Sequence, residues 1–470
     1  MPRSRQEMVF YEWGRLYGDV IYLYVMNRSF LVLNSYKAAT TLLEKRGNKY
    51  SGRPQFRLLE MMGWQPSLTL LDYGKKAQLH RKMFQQYLSK DKCATYQPVQ
   101  LQRARQLCRR LLSNPKNFQQ SIERFATGII VQMTYGHQID SDGDDWYYKI
   151  AQKATIALFD VGPPGGTPID FFPFLRYFPS WFPGTYYANL ARKYRHLVRK
   201  LHEAPVTRIQ AQMAHGDAES SFVLSQLESM RREGTKGRLT LDDIQGTAAI
   251  MHAAGTDTVV VSLLIFILAM VLHPECQRRA QEEIDVVIGR DRLPQFSDRA
   301  SLPYVEAVWQ ESLRWHQAAP LGLPHLSSED DVYEDMFIPK GSLVFANIRA
   351  MTLDENVYSN PKEFIPERFL PKPVGNGEPY PPIFGWGRRI CPGRHFGDGS
   401  LWIAIATILA TTTITNAIDE WGQKIIPEVR FKSAILKYVQ YQYSYRKREV
   451  TNPLEVYHIP LNASSEIVEM

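Results

Sequence analysis

The stretch Phe384-Gly-Trp-Gly-Arg-Arg-Ile-Cys-Pro-Gly393 places a single cysteine, Cys391, in a glycine-rich loop. An apolar stretch from Leu401 to Leu409 follows this loop. Glycines let a backbone approach a flat ligand closely, because they carry no Cβ. A helix that begins just beyond the sulfur favours a thiolate, and backbone N–H groups can donate to that sulfur. A lone cysteine in such a turn is usually just buried, but this context predicts a thiolate ligand to haem iron.

The pattern Phe384-x-x-Gly387-x-Arg389-x-Cys391-x-Gly393 resembles the haem-binding signature of the cytochrome P450 superfamily. The resemblance covers about residues 10–446. It implies a mainly α fold with a small β lobe, which is the cytochrome P450 fold, and one haem b (iron protoporphyrin IX) with Cys391 as the axial iron ligand. It assigns the other four residues of the pattern to cofactor binding, with Arg389 facing a haem propionate.

Composition agrees with one large globular domain. The 470 residues are 44% hydrophobic and 22% charged, and no linker, repeat or low-complexity tract divides them. We expect a single catalytic domain over residues 1–446 and a C-terminal tail over 447–470. The four cysteines are widely spaced and form no C-x-x-C pair, which argues against a zinc site or a disulfide framework and favours a reducing compartment.

The chain is basic, with a formal net charge of +8 and a pI of about 9.1. No long Lys/Arg run and no basic–aromatic repeat indicates nucleic-acid binding. An acidic redox partner, an anionic membrane surface and scattered solubilising charge all remain compatible with this balance. Microsomal members of the family carry an apolar anchor first, whereas Met1–Arg15 is polar. We therefore expect either peripheral contact with the cytosolic face of the endoplasmic reticulum or a soluble cytoplasmic protein.

Secondary-structure signals surround the motifs. Val20–Leu33 is rich in β-branched and aromatic residues around Asn27, which predicts a hairpin. Thr240-x-x-Asp243 predicts a capping box that begins a long helix, and the helix ends at Leu272 before His-Pro. The segment from Met251 to Leu272 is apolar enough to suggest a membrane span, but His252 and Asp257 within it indicate a buried core helix. A strand pair is expected over 431–445.

Ala254-Gly255-Thr256-Asp257-Thr258 lies inside that long helix and resembles the oxygen-activating motif of the family. Gly255 would let the helix open locally, so that O2 fits between the helix and the iron. The resemblance makes Thr258 a hydroxyl donor to bound oxygen and Asp257 a proton relay. A buried carboxylate is costly unless it is paired or functional. The alternative is an ion-paired Asp beside a Thr whose hydroxyl bonds back into its own helix.

The segment Tyr73–Phe84 resembles the third helix of the family, in which a Trp and an Arg four residues later face a propionate. Arg81 takes the Arg place, whereas Ala77 stands where the Trp would be. One propionate contact is then lost or replaced, with Lys76 or His80 as candidates. His325 matches a family position at which a basic residue meets a propionate.

Glu311-x-x-Arg314 resembles the Glu-x-x-Arg pair of the family, and Pro366-Glu-Arg368-Phe supplies the third partner. The spacing of three residues places Glu311 and Arg314 on one helix face. We assign the three charged residues to a structural ion-pair network that holds the thiolate loop. For an isolated Glu-x-x-Arg, a surface salt bridge would be the simpler interpretation.

The resemblance implies a haem-thiolate monooxygenase that inserts one oxygen atom of O2 into an apolar substrate, with an NADPH-cytochrome reductase as electron donor. The run Pro179-Ser-Trp-Phe-Pro-Gly184 resembles fungal microsomal members, which indicates secondary-metabolite biosynthesis. We expect the substrate pocket to include Met251, Ala254, Leu321–Leu323 and parts of 56–71 and 159–182. Two alternatives stay open. A haem-thiolate isomerase, dehydratase or peroxygenase would often lack the Asp-Thr pair, and a non-catalytic haem-binding paralogue would fit the departure at Ala77.

Overall fold

The computed structural model describes residues 5–139, 145–160, 167–234, 238–418, 421, 423–425, 427 and 443–447. Helices dominate these residues, as the resemblance implies. The α-helices are α1 (Gln6–Tyr17), α2 (Tyr36–Ala39), α3 (Arg57–Met62), α4 (Lys75–Leu88), α5 (Lys90–Ala94), α6 (Gln97–Ser113), α7 (Phe118–Tyr135), α8 (Trp146–Asp160), α9 (Pro168–Phe171), α10 (Tyr186–His215), α11 (Phe222–Glu233), α12 (Leu241–Leu272), α13 (Pro274–Val287), α14 (Pro303–Trp315), α15 (Ile348–Thr352) and α16 (Arg394–Thr411).

The strands form small sheets at the edge of the helical body. They are β1 (Val20–Val25), β2 (Arg28–Leu33), β3 (His325–Leu326), β4 (Asp331–Tyr333), β5 (Met336–Ile338), β6 (Leu343–Ala346), β7 (Thr412–Ile418), β8 (Lys424–Ile425) and β9 (Tyr443–Lys447). The four-stranded sheet has the order β1-β2-β6-β3, in which β2 and β6 are parallel. β4 and β5 pair with each other, and β7 lies between β8 and β9.

Helix α12 lies in the main hydrophobic core and packs along α7. Its capping box is present: the Thr240 hydroxyl accepts from the Asp243 N–H at 3.2 Å, and the Asp243 carboxylate accepts from the Thr240 N–H. In the part of the chain that the structure describes, α12 is the one helix long and apolar enough to cross a membrane, and 83% of its most apolar window is buried. The prediction of a core helix is confirmed, because a helix that is apolar all round needs protein on every side.

The predicted hairpin over 20–33 is confirmed, and its strands pair from Val20 with Leu33 to Val25 with Arg28. The next helix, α13, begins at Pro274, directly after the predicted end of α12. Most of the strand pair expected over 431–445 lies outside the described residues. Its last residues belong to β9 (Tyr443–Lys447), which pairs with β7. The C-terminal tail lies outside them apart from its first residue.

Candidate active site

A large cavity of about 890 Å³ separates the Cys391 loop from the middle of α12. The cavity wall is mostly apolar, and it includes Met251 and Ala254, as the sequence predicts. One part of the pocket prediction is wrong, because Leu321 packs against the strands instead of lining the cavity. None of the described residues 167–182 lines the cavity either, and residues 161–166 of the predicted 159–182 segment lie outside the described residues. The segment of 56–71 contributes Phe56, Leu59, Trp64 and residues 67–70.

Two glycines shape the loop before the sulfur. Gly385 and Gly387 have φ angles of 78° and 51°, in the left-handed region that favours glycine. A Cβ on Gly387 would lie 2.7 Å from the carbonyl oxygen of Leu43, so the loop packs directly on backbone. The Cys391 N–H donates to the Phe384 carbonyl at 2.8 Å, which closes the loop.

Cys391 lines the cavity, and α16 begins three residues later. Burial raises the pKa of the Cys391 thiol, while the Gly393 N–H, Arg81 and Arg394 act in the opposite direction. The helix end and the donating N–H predicted from the sequence are therefore present, but burial outweighs them. A bound metal ion deprotonates a coordinating thiol outright, so the thiolate form would come with the iron.

The oxygen-side residues lie on an unbroken α12. A Cβ on Gly255 would lie 2.7 Å from Cδ1 of Ile130, so this glycine allows α7 and α12 to approach closely. The helix shows no local opening there, contrary to our prediction for Gly255. The Thr258 hydroxyl donates to the Ala254 carbonyl at 2.8 Å, which leaves its oxygen able to accept. Both Gly255 and Thr258 line the cavity, and their roles toward oxygen stay predictions.

Asp257 is 8% exposed and lines the same cavity. No described residue donates to its Oδ2 atom. Burial raises the pKa of Asp257 to about 7, with a further contribution from the negative charge of Glu123. A carboxyl group with a pKa near neutrality can both take up and release a proton at physiological pH, which is the property that a relay requires.

The predicted propionate ligands occupy one wall of the cavity. Arg389 donates to the carbonyls of Ser51 at 2.8 Å, Leu68 at 3.3 Å and Leu71 at 2.9 Å, so it ties the 51–71 segment to the cysteine loop. The Arg81 guanidinium donates to the carbonyl of Ile390, next to Cys391. Both arginines line the cavity, and their contact with a propionate stays a prediction.

His325 lines the same wall. Its Nδ1 lies 2.7 Å from the Tyr50 carbonyl, which can only accept, so Nδ1 carries the proton and Nε2 is an acceptor. Burial and the positive charge of Arg53 hold the pKa of His325 well below its usual range. The neutral ring cannot donate to a carboxylate through Nε2. It would pair with a propionate only after taking up a second proton, which the negative charge of that propionate would favour.

The proposed replacements for the missing Trp are wrong. His80 is fully buried, and its two ring nitrogens lie 2.9 Å from Asp243 Oδ1 and 3.0 Å from Thr247 Oγ1. Lys76 Nζ lies 3.2 Å from the same Asp243 oxygen. Both side chains are drawn to the N-terminal end of α12, because Asp243 carries a buried negative charge there. Ala77 itself lines the cavity.

Sequence patterns did not indicate Arg53, which is 5% exposed and lines the cavity. Its Nη1 donates to the carbonyls of Leu323 at 2.9 Å and Pro324 at 2.7 Å, and its buried Nε has no partner among the described residues. Burial and the charge of Arg389 lower the pKa of Arg53 to about 9. No carboxylate of a described residue pairs with this guanidinium, so the wall has a positive charge that an anion would compensate.

The residues present therefore fit haem, whose propionates are anionic. The signal in the sequence was an arginine between glycine and proline in Tyr50-Ser-Gly-Arg-Pro54.

Glu311, Arg314 and Arg368 meet in the interior, and all three side chains are fully buried. Glu311 accepts from Arg314 Nε at 2.7 Å, from Arg368 Nε at 3.1 Å and from the Ile365 N–H at 2.8 Å. Arg368 also pairs with Glu378 at 2.6 Å, a partner that the sequence did not indicate. Arg314 further donates to the carbonyls of Thr352, Pro361 and Glu363. The network thus pins the chain that precedes the cysteine loop.

Comparison with known proteins matches this architecture. The sequence model of the family described as "Cytochrome P450" matches residues 3–416. Cytochrome P450 monooxygenase 136 of Postia placenta is 37% identical over 443 residues, which cover 93% of this chain and 84% of that protein. Cytochrome P450 monooxygenase COX1 of Coprinopsis cinerea is 35% identical, with coverages of 90% and 84%. Cytochrome P450 monooxygenase claR of Ampulloclitocybe clavipes is 35% identical, with coverages of 93% and 81%.

Proposed function

Because the chain belongs to the cytochrome P450 family and is a cytochrome P450 monooxygenase, we propose that it oxidises a small apolar molecule in a step of fungal secondary metabolism. One observation carries the chemistry: the apolar cavity has Cys391 on one wall and Asp257 and Thr258 on α12. A cysteine ligand without a cavity, or a cavity without these polar groups, would not support oxygen insertion.

The family implies haem, and the residues that would hold it are Cys391 on one face and Arg53, Arg81 and Arg389 at the propionate edge. Haem supplies oxygen activation and oxygen transfer when it is bound. The chain's own share is to present the Cys391 sulfur, to neutralise the propionates and to exclude water with apolar walls. The Asp257 carboxyl group would move protons inward, and the Thr258 hydroxyl oxygen would accept and pass them on.

The substrate class follows from the cavity wall. Its side chains are largely aliphatic and aromatic, which favours a terpenoid, polyketide, fatty acid or apolar aromatic compound. The relatives come from basidiomycete fungi, and the aromatic run at 179–184 resembles fungal microsomal members. These two observations support the secondary-metabolite role.

We further propose that the protein contacts the cytosolic face of the endoplasmic reticulum and takes electrons from an NADPH-cytochrome reductase, as the family generally does. An exposed aromatic rim supports the membrane contact, and Tyr and Trp are favoured at membrane interfaces. The rim consists of Tyr24, Met26, Phe172, Phe174, Tyr177, Trp181 and Tyr186. The residues at 24–26 and those at 172–186 lie near each other, because the Arg28 guanidinium lies over the Phe171 ring at 5.2 Å from its centroid. A soluble cytoplasmic protein would not bind anionic vesicles in a flotation assay.

Two measurements test the catalytic proposal. The reduced protein under CO should give the Soret band of a thiolate-ligated haem, and a band at the histidine-haem position would overturn the assignment of Cys391. With added reductase and NADPH, a panel of terpenes, fatty acids and polyketides should yield products that carry one atom from labelled O2. The Thr258→Ala variant should form less product per NADPH, and an unchanged ratio would contradict the role of its hydroxyl. Expression with neighbouring biosynthetic genes tests the metabolic role.

A further inference from the structure

Arg299 connects two helices of the haem region. It lies in the 3₁₀ turn Phe296–Ser301, between α13 and α14. Its guanidinium donates to both carboxylate oxygens of Glu306, at 2.8 and 2.9 Å. It also donates to both oxygens of Asp398, one of them at 3.0 Å. The N–H groups of this one guanidinium therefore pair with two carboxylates, each in bidentate geometry, which is the strongest kind of ion pair that an arginine makes.

Two indole rings flank the same guanidinium. Its central carbon lies 5.2 Å from the ring centroid of Trp309 and 5.5 Å from that of Trp402. Each helix thus contributes one carboxylate and one indole. Glu306 and Trp309 are three residues apart on α14, and Asp398 and Trp402 are four apart on α16, so each pair lies on one helix face. Trp402 is fully buried, which places this contact at the edge of the core.

The position of α16 decides how the Cys391 sulfur is held. The helix begins at Arg394, and Gly393 lies directly before it, with its Cβ position 3.9 Å from the sulfur and its N–H stabilising the thiolate form. Gln100 of α6 holds the first turns from another side, with Nε2 at 3.1 Å from the Phe396 carbonyl and 2.9 Å from Ser400 Oγ. A shift of these turns would move the N–H away from the sulfur. Hydrogen bonds to a ligating sulfur tune its electron donation.

We propose that Arg299 is a positioning residue for the Cys391 ligand. By binding α14 and α16 together, it fixes where α16 begins and keeps the Gly393 N–H aimed at the sulfur. Exposed ion pairs generally contribute little to stability. This arginine is only 26% exposed, and two bidentate carboxylates and two indole rings hold its guanidinium in place. The inference rests on the proposed haem-thiolate site.

The test uses the haem-loaded protein and variants at three positions. Arg299→Met keeps an apolar stem between the two rings but loses the charge, and Asp398→Asn keeps the shape of the α16 partner. Arg292→Met is the matched control, because Arg292 pairs bidentately with Asp298 in the same segment and is 46% exposed. Its hydrogen bonds within the described ranges reach neither α14 nor α16. Each protein is reduced under CO at mildly raised temperature, and the loss of the thiolate-type Soret band is timed.

We expect the thiolate band to disappear at least about threefold faster in Arg299→Met and Asp398→Asn than in the parent, and at the parent rate in Arg292→Met. The midpoint reduction potential of the intact thiolate form should shift in the first two variants only. Arg299→Lys, which keeps the charge without the fork, should fall between parent and Arg299→Met.

The readouts separate positioning from general stability. If Arg299→Met lowers the urea midpoint of unfolding but leaves the reduction potential and the rate of band loss unchanged, the inference is overturned. Equal behaviour of the Arg299 and Arg292 variants would overturn it as well. A parent protein without a thiolate-type band would instead contradict the proposed function itself, and that failure is seen before any variant is compared.

Discussion

Replacing Glu311 by glutamine removes one negative charge from the centre of the buried network while keeping the shape of the side chain. In the native protein this carboxylate faces two guanidinium groups, Arg314 and Arg368, and all three side chains are fully buried. The NH2 group of the new amide would face the N–H groups of the two guanidinium ions, and two donors repel each other, so at least one contact becomes repulsive.

The magnitude follows from the geometry. Two unit charges about 4 Å apart interact by about 4 kcal/mol at an effective dielectric constant of about 20. Glu311 makes two such pairs, and Glu378 compensates only Arg368, through a contact of 2.6 Å. The carbonyl partners of Arg314 recover part of the loss. Removing one partner from a buried ion pair typically costs about 3–5 kcal/mol, which is the loss we expect for Glu311→Gln. That is a large share of a total stability of about 5–15 kcal/mol.

The assay is urea unfolding followed by far-ultraviolet circular dichroism, with the free energy of unfolding extrapolated to water. Glu282→Gln is the control, because Glu282 pairs with Arg278 on the surface with side-chain exposures of 56% and 64%. Such a pair contributes about 0–1 kcal/mol. Arg368→Lys keeps a charge beside Glu311 and should lose less than Glu311→Gln. A loss below about 1 kcal/mol for Glu311→Gln would refute the reasoning, since the network would then be no stronger than a surface pair.

Three further predictions follow from burial and close contacts. Burial raises the pKa of Asp257 to about 7, whereas its value in the unfolded chain is about 4. Between these pH values the folded state holds a proton that the unfolded state releases, so the free energy of unfolding falls as pH rises from about 4 to about 7. Asp257→Asn should abolish this decline in urea titrations, and parallel curves for parent and variant would show that burial does not raise this pKa. Arg53→Met should speed haem transfer to apomyoglobin at least about tenfold, because a charge-assisted bond is lost, and should stabilise the haem-free protein; equal transfer rates would argue against a propionate contact. Gly246→Ala should cost about 3 kcal/mol or more in urea unfolding, since its Cβ would lie 1.6 Å from the Pro66 carbonyl oxygen, whereas Gly128→Ala, whose Cβ meets nothing closer than 3.6 Å, should be tolerated.

The sequence by itself determined the features that depend on local pattern. The capping box of α12 could be predicted because Thr240 and Asp243 satisfy backbone donors within one turn. The apolar run of the same helix predicts burial, because it leaves no polar face for water. The cysteine loop could be predicted because its glycines are needed at nearby positions, where φ is positive. In each case, the interacting groups lie within a few residues of one another.

The tertiary structure alone decided which distant charges meet. Arg53 faces the cavity because Leu323 and Pro324, about 270 residues later, hold its Nη1 atom. Lys76 and His80 are near the expected propionate in sequence, but Asp243, more than 160 residues away, draws them elsewhere. Arg299 looks like any surface arginine until Glu306 and Asp398 are brought to it from two helices. Long flexible side chains pair with whichever partner the packing brings near, and no local spacing records that choice.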